Sequence, residues 1–117
     1  MPLSSNSITG WLTRGEGLFA QGIFGRALAA FEQALALAQK RCNPQAEAIA
    51  LQRLGLTHLE QGQPSLSITS VQQAIDVALE QHNFNTLYEC HRQLAQTYKA
   101  MGNIDLALQY LETAGRP

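Results

Sequence analysis

The side chains best suited to binding a metal ion are three histidines and two cysteines, His58, His82, His91, Cys42 and Cys90. A metal site needs several such groups on one face, which helices achieve with spacings such as HxxxH. No HxxxH, HxxE or CxxC spacing occurs in the chain, and the adjacent Cys90 and His91 would point in different directions on a helix. We therefore predict no metal site and interpret the histidines as structural or surface residues.

Catalytic chemistry has no recognisable residue pattern either. The sequence contains no nucleophile elbow, no phosphate-binding glycine loop and no paired carboxylates, and Gly22 and Gly25 are interpreted as turn glycines. Cys42 and Cys90 are interpreted as one loop thiol and one core thiol, both free, as a reducing compartment would keep them. We expect a protein that is not an enzyme and has no catalytic or cofactor-binding residues.

Composition narrows the possible partners. The chain has 117 residues, 45% of them hydrophobic, with a net charge of −1, which fits a single domain with one modest core. A charge so close to zero would not attract nucleic acid or an anionic membrane. The N-terminus lacks the features of a signal peptide, and no apolar run approaches the ~18 residues of a membrane span. The expectation is a cytoplasmic protein with protein or peptide partners.

The chain contains a stretch that recurs every 40 residues. Residues 21–35 (QGIFGRALAAFEQAL) align without gaps with residues 61–75 and 101–115. Three sets of residues fall in register: Gly22, Gly62 and Gly102; Phe31, Val71 and Leu111; Ala34, Ala74 and Ala114. A fixed period of this length indicates a repeat protein built from stacked units.

Apolar periodicity and turn residues predict two helices in each repeat. The predicted helices span residues 8–21, 25–40, 45–61, 66–81, 86–101 and 104–114, with Gly22 ending the first helix, Pro64 and Ser65 in a turn and Asn85 as a helix cap. Short loops make consecutive helices antiparallel. We expect a flexible lead-in at residues 1–7, then a single domain of three hairpins at about residues 8–42, 43–84 and 85–117.

Small residues inside the first helices predict close helix packing. Gly15 costs its helix about 0.5–1 kcal/mol relative to Ala. Gly55 and Ala95 occupy the same position in the next two repeats. A neighbouring helix that approaches closely would explain all three.

The pattern resembles the tetratricopeptide repeat, which places Trp, Leu, Gly and Tyr on its first helix and Ala, Phe and Ala on its second. The matching residues here are Trp11, Gly15, Leu18, Ala27, Phe31 and Ala34, then Leu51, Leu54, Gly55, His58, Ser67, Val71 and Ala74, then His91, Leu94, Ala95, Tyr98, Ala107, Leu111 and Ala114. The period of 40 residues, rather than the family's 34, resembles an extended subtype. The resemblance implies an all-α, right-handed α-solenoid.

In that family the first helices line a concave groove that binds protein partners, which implies a set of contact residues here. They are Leu12, Glu16, Phe19, Gln52, Arg53, Leu56, Leu59, Arg92, Gln96 and Lys99. This groove would be apolar near the first hairpin and basic near the third, which suits a peptide with an apolar anchor and an acidic group. The alternative is that Phe19, Leu56 and Leu59 merely pack against neighbouring helices.

One known ligand mode of the family is excluded by residue type. Its chaperone-binding members hold a terminal carboxylate with Lys and Asn on the first repeat, Asn on the second, and Lys and Arg on the third. The matching positions hold Leu12, Glu16, Arg53, Glu89 and Gln93, so the required residues are missing at all five. We predict no carboxylate clamp.

The third repeat, residues 87–112, resembles the last repeat of bacterial arrays that precede signalling output domains. That resemblance implies an adaptor or sensory role in a signalling system. The last predicted helix is also short, and we expect it to expose Leu108 and Tyr110. Repeat stacks usually end in a polar cap. The alternative function is therefore a regulatory or structural domain that forms homo-oligomers through this C-terminal hairpin.

Overall fold

The computed structural model describes residues 7–114, so the lead-in predicted at residues 1–7 lies, apart from Ser7, outside the described residues. Within the described range the chain forms six α-helices and no strand. The helices are α1 (Ile8–Ala20), α2 (Phe24–Lys40), α3 (Pro44–Glu60), α4 (Pro64–Glu80), α5 (Phe84–Ala100) and α6 (Ile104–Ala114). Each connection has three residues, so consecutive helices are antiparallel neighbours. The predicted all-α solenoid is confirmed, and it is an elongated body of 47 × 31 × 19 Å.

The connections share one backbone conformation. In the first, the N–H of Ile23 donates to the carbonyl of Leu18, and that of Gly22 donates to the carbonyl of Phe19, both at 2.9 Å. This pair of bonds defines a Schellman motif, which requires a left-handed residue after the helix. The left-handed residues, spaced 20 apart, are Gly22 (φ 78°), Cys42 (φ 51°), Gly62 (φ 75°), His82 (φ 52°) and Gly102 (φ 81°). The left-handed helix end predicted at Gly22 is confirmed.

Asparagine side chains cap three of the helices. Asn43, Asn83 and Asn103 each accept a hydrogen bond from the backbone N–H three residues later, at 3.1, 3.2 and 3.3 Å. An asparagine oxygen at this position satisfies one of the N–H groups that the first turn leaves without a partner.

Two predicted helix starts were wrong. Pro64 is the first residue of α4 rather than part of a turn, because proline has no N–H to lose there and its φ already suits a helix. The cap of α5 is Asn83 rather than Asn85, and the helix begins at Phe84. Both corrections lengthen the helices to 17 residues each.

The helices that begin each hairpin form one face of the stack. Each helix contacts its neighbours in sequence, and α3 also contacts both α1 and α5. Within the described residues, α2, α4 and α6 make no such contacts with one another. The stack is therefore tighter along α1, α3 and α5, so these three helices lie on its concave side.

Glycines allow each hairpin to close. A Cβ placed on Gly15 would lie 2.5 Å from Cε1 of Phe31, and one on Gly55 would lie 2.6 Å from Cγ2 of Val71. Both Phe31 and Val71 are fully buried. The close packing predicted for Gly15 and Gly55 is confirmed, since no side chain fits between the helices at these points.

The third hairpin is held together by stacked rings. Tyr110 of α6 lies 5.5 Å from Tyr98 and 6.0 Å from His91, centroid to centroid. The exposure expected for Tyr110 was therefore wrong, because its ring is half-buried against two rings of α5. Leu108 is 59% exposed, as predicted.

Candidate functional site

A small apolar pocket opens between α1 and α3 on the concave side. Phe31 lies at its floor, Phe19 and Leu56 form its walls, and Glu16 and Arg53 lie at its rim. Its volume is about 180 Å³. Phe19 is held in place by an edge-to-face contact with Phe24, with ring centroids 5.2 Å apart. We call this space the anchor pocket.

A second, polar cavity adjoins the anchor pocket and continues between α3 and α5. It has a volume of about 130 Å³ and shares Arg53 and Leu56 with the anchor pocket. Its other lining residues are Gln52, Glu89, Arg92, Gln93 and Gln96. The two cavities therefore form one groove that runs across the first helices of all three hairpins.

Two hydrogen bonds join the first helices along this groove. Arg53 Nε donates to Glu16 Oε1 at 3.0 Å, joining α3 to α1. Gln93 Nε2 donates to the carbonyl of Gln52 at 2.9 Å, joining α5 to α3. The first bond is exposed and the second is buried.

Seven of the ten predicted contact residues lie along the two cavities. They are Glu16, Phe19, Gln52, Arg53, Leu56, Arg92 and Gln96. Leu12 lies instead in a separate cavity, of about 410 Å³, at the N-terminal ends of α1 and α3. Leu59 and Lys99 line neither part of the groove. The ten residues remain a prediction as a binding set.

The charge of the groove differs from the predicted gradient. Arg92 is exposed, and its guanidinium carbon lies 5.7 Å from the Tyr88 ring centroid. Glu89 lines the same cavity, so the region near the third hairpin has mixed charge instead of being basic. Glu89 and Gln93 were not among the predicted contact residues, although Glu89 lies about one helical turn before the predicted Arg92 on the same helix.

A larger open cavity of about 530 Å³ lies outside the groove, at the edge formed by the start of α3 and the turn after α4. Half of its lining residues are polar, namely Gln45, Gln81, His82, Asn83 and Asn85, and the other half are apolar. None of its lining residues was predicted as a contact. Unlike the groove, its lining residues include no aspartate, glutamate, lysine or arginine.

The two thiols differ in exposure. Cys42 is exposed in a turn and Cys90 is fully buried, as the sequence predicted. Burial, with a smaller contribution from the charge of Glu89, raises the pKa of the Cys90 thiol to about 12.

Within residues 7–114, no three metal-binding side chains lie close enough to hold an ion. No helix in that range is long and apolar enough to cross a membrane.

Six helices paired into hairpins, with a groove along the first helix of each, define a helical-repeat solenoid. Tetratricopeptide repeat models match residues 7–80 and residues 89–114. The chain belongs to the tetratricopeptide repeat family. Repeats of this family generally mediate protein–protein interactions, and proteins built from them are typically non-enzymatic.

A solved structure has the same architecture. The crystal structure of the TPR domain of Arabidopsis FLU superposes with a TM-score of 0.86, covering 92% of this chain and 90% of that chain. The two sequences are 21% identical, so the likeness concerns the fold. Among curated proteins, none matches this chain.

Proposed function

We propose that this protein is a non-enzymatic interaction module that binds a partner peptide or protein in its concave groove. The observation that supports this most directly is the joining of the anchor pocket to the polar cavity through Arg53 and Leu56. The anchor pocket can bury an apolar side chain of a peptide. The two arginines and several amide side chains of the groove can form directional hydrogen bonds with that peptide.

The sizes of the two cavities favour a peptide over a small metabolite. Their volumes are about 130 and 180 Å³, below the roughly 300–1,000 Å³ typical of small-molecule sites. A peptide can place single side chains in each and lie across the surface between them.

The proposal includes a cytoplasmic location and an adaptor or sensory role in bacterial signalling. The resemblance of the third repeat supports the signalling role.

The test is a selection of twelve-residue peptides from a random phage-displayed library on the immobilised chain. Selected peptides should bind more weakly, by about tenfold, to an Arg92→Glu/Gln96→Glu double variant, which changes two exposed residues of the polar cavity. The matched control is Gln72→Glu/Gln73→Glu, which adds acid at exposed positions of α4. The proposal would be overturned if no substitution in the groove changed the affinity for the selected peptides.

A second candidate function, self-assembly through the C-terminal hairpin, is favoured by the outer face of α6. Ile104, Leu108 and Leu111 lie on this face with exposures of 52, 59 and 50%. The residues equivalent to Leu111 are Phe31 in α2 and Val71 in α4, and both are fully buried. In the first two hairpins the following hairpin packs on this side, so α6 presents a face that its counterparts cover.

Light scattering separates the two functions. If self-assembly is the main role, the chain should dimerise at micromolar concentration, and Leu108→Glu should return it to a monomer. A strict monomer at high concentration would exclude this candidate without affecting the groove proposal.

A further inference from the structure

The anchor pocket has a chemistry that specifies what enters it. We propose, resting on the proposed groove function, that it takes one large apolar side chain from the partner, while a partner carboxylate beside that side chain binds Arg53. The preferred segment is thus a leucine, methionine or phenylalanine with an aspartate or glutamate within a few residues.

The inside of the pocket is apolar. Phe31 at the floor and Phe19 and Leu56 at the walls offer carbon atoms, so water there has few hydrogen-bond partners. An apolar cavity of about 150 Å³ is large enough to take benzene. At about 180 Å³ the pocket fits one leucine, methionine or phenylalanine side chain, which displaces that water and gains contact area.

The floor of the pocket is packed against a glycine. A Cβ on Gly15 would lie 2.5 Å from Cε1 of Phe31, so the ring lies directly against α1. Phe31 is also fully buried. The pocket is present without a ligand, so binding would need little rearrangement of the protein.

Arg53 supplies the charged part of the site. Its side chain is 37% exposed, and Nε bonds to Glu16, whose own side chain is 51% exposed. Among the described residues, no other side chain bonds the Arg53 guanidinium, so its terminal nitrogens are open to a carboxylate. An ion pair this exposed is weak, so a partner carboxylate can join it or replace Glu16 at little cost.

The positions of the two arginines decide which of them would bind the carboxylate. Arg92 lines only the polar cavity, whereas Arg53 lines the anchor pocket as well. Arg53 is the cation at the boundary between the two cavities. For that reason the carboxylate preference is assigned to Arg53 and not to Arg92.

The repeats themselves provide test variants. Leu56→Gln introduces the residue that the next repeat has at the same position, Gln96, and Arg53→Gln introduces the residue of Gln93. Each replacement is thus compatible with a helix of this stack. Leu79→Gln is the matched control, because Leu79 is 54% exposed on α4 and lines neither cavity.

The experiment uses peptides selected from the random twelve-residue library, synthesised and titrated calorimetrically into the intact chain. We expect one apolar residue to recur among them, and its replacement by alanine should weaken binding about tenfold or more. Leu56→Gln should weaken binding similarly, while Leu79→Gln should change it less than twofold. Arg53→Gln should weaken acidic peptides about five- to tenfold but leave their asparagine or glutamine counterparts within twofold.

The outcomes separate this inference from the function on which it rests. Suppose that affinity falls in the Arg92→Glu/Gln96→Glu variant but is unchanged by Leu56→Gln and by the alanine replacement in the peptide. The groove proposal then stands, and the proposed role of the anchor pocket is refuted. If the apolar residue matters but Arg53→Gln affects acidic and neutral peptides equally, the carboxylate preference is refuted. If no groove variant changes binding, both proposals fail.

Discussion

Arg53 and Gln93 occupy the same position in successive repeats, and each donates a hydrogen bond to the first helix of the preceding hairpin. Arg53 Nε bonds to the exposed carboxylate of Glu16 at 3.0 Å, whereas Gln93 Nε2 bonds to the buried carbonyl of Gln52 at 2.9 Å. One position thus joins neighbouring hairpins twice, once as an exposed ion pair and once as a buried amide bond.

The two bonds should differ in their contribution to stability. Arg53→Gln should change the free energy of unfolding by less than about 1 kcal/mol, because exposed ion pairs contribute little. Gln93→Ala should cost about 1–3 kcal/mol, because it removes a buried hydrogen bond and leaves a space beside Gly55. Urea unfolding measures both, and Gln96→Ala, exposed on the same helix, is the control. Equal losses at Arg53 and Gln93 would contradict the difference in burial.

Two glycines of α1 should respond to alanine in opposite ways. Gly15→Ala gains about 0.5–1 kcal/mol of helix propensity, but its Cβ would overlap the fully buried Phe31 ring, a type of overpacking that costs roughly 1–3 kcal/mol. We expect net destabilisation. Gly17 has nothing within 4 Å of its Cβ position, so Gly17→Ala should be stabilising by about 0.5–1 kcal/mol. Thermal unfolding of the two single variants gives the sign of each change in stability. Stabilisation by both would show that the Phe31 ring can shift to make room for the added Cβ.

The turns at Cys42 and His82 should be stabilised by glycine. A side chain in the left-handed region costs roughly 1–2 kcal/mol, whereas glycine adds about 0.4–1 kcal/mol of unfolded-state entropy. The difference predicts a gain of about 0.5–1 kcal/mol for Cys42→Gly and for His82→Gly. Gly62→Ala, at the equivalent position, should show a loss of similar size. Denaturant midpoints measure all three, and a loss in the two glycine variants would mean that the Cys42 and His82 side chains contribute more than their strain costs.

The fold followed from the sequence because its signals are repeated. Turn residues recur every 20 residues and apolar residues follow the helical period, so helix number, order and hairpin pairing were predictable. The local sequence of a single turn does not identify the first residue of α4 or the cap of α5. Asn43, Asn83 and Asn103 share one register, and that spacing would have identified Asn83 as the cap.

The groove was only partly predictable because its details depend on how side chains reach across helices. Stepping by 40 residues placed Glu16, Leu56 and Gln96 on one face, but it gave no sign that Glu16 would pair with Arg53. The burial of Gln93 and the contribution of Phe31 to the pocket floor arise from contacts between hairpins. Such contacts depend on side-chain conformation, which a repeat pattern does not specify.

The His91 ring should make stability depend on pH. Burial lowers the pKa of His91 in the folded protein below its ordinary value of about 6.5, which it keeps in the unfolded chain. As the pH falls below about 7, the unfolded chain takes up a proton at His91 before the folded protein does. The unfolded state then binds more protons, so the free energy of unfolding must decrease until the pH passes the folded pKa, and His91 contributes no further change below it.

His91→Leu tests this dependence, because Leu51 has the same position in the second repeat. Urea unfolding between pH 7.5 and 5.5 should show a smaller decrease in stability for His91→Leu than for the wild type. Gln96→Leu, which changes an exposed residue of the same helix that does not titrate, should keep the wild-type slope. Because Tyr110 stacks on His91, the wild-type loss should be greatest in the third hairpin, where hydrogen exchange of α6 amides should accelerate first on acidification. Parallel pH curves for the wild type and His91→Leu would mean that the His91 ring titrates alike in the folded and unfolded states.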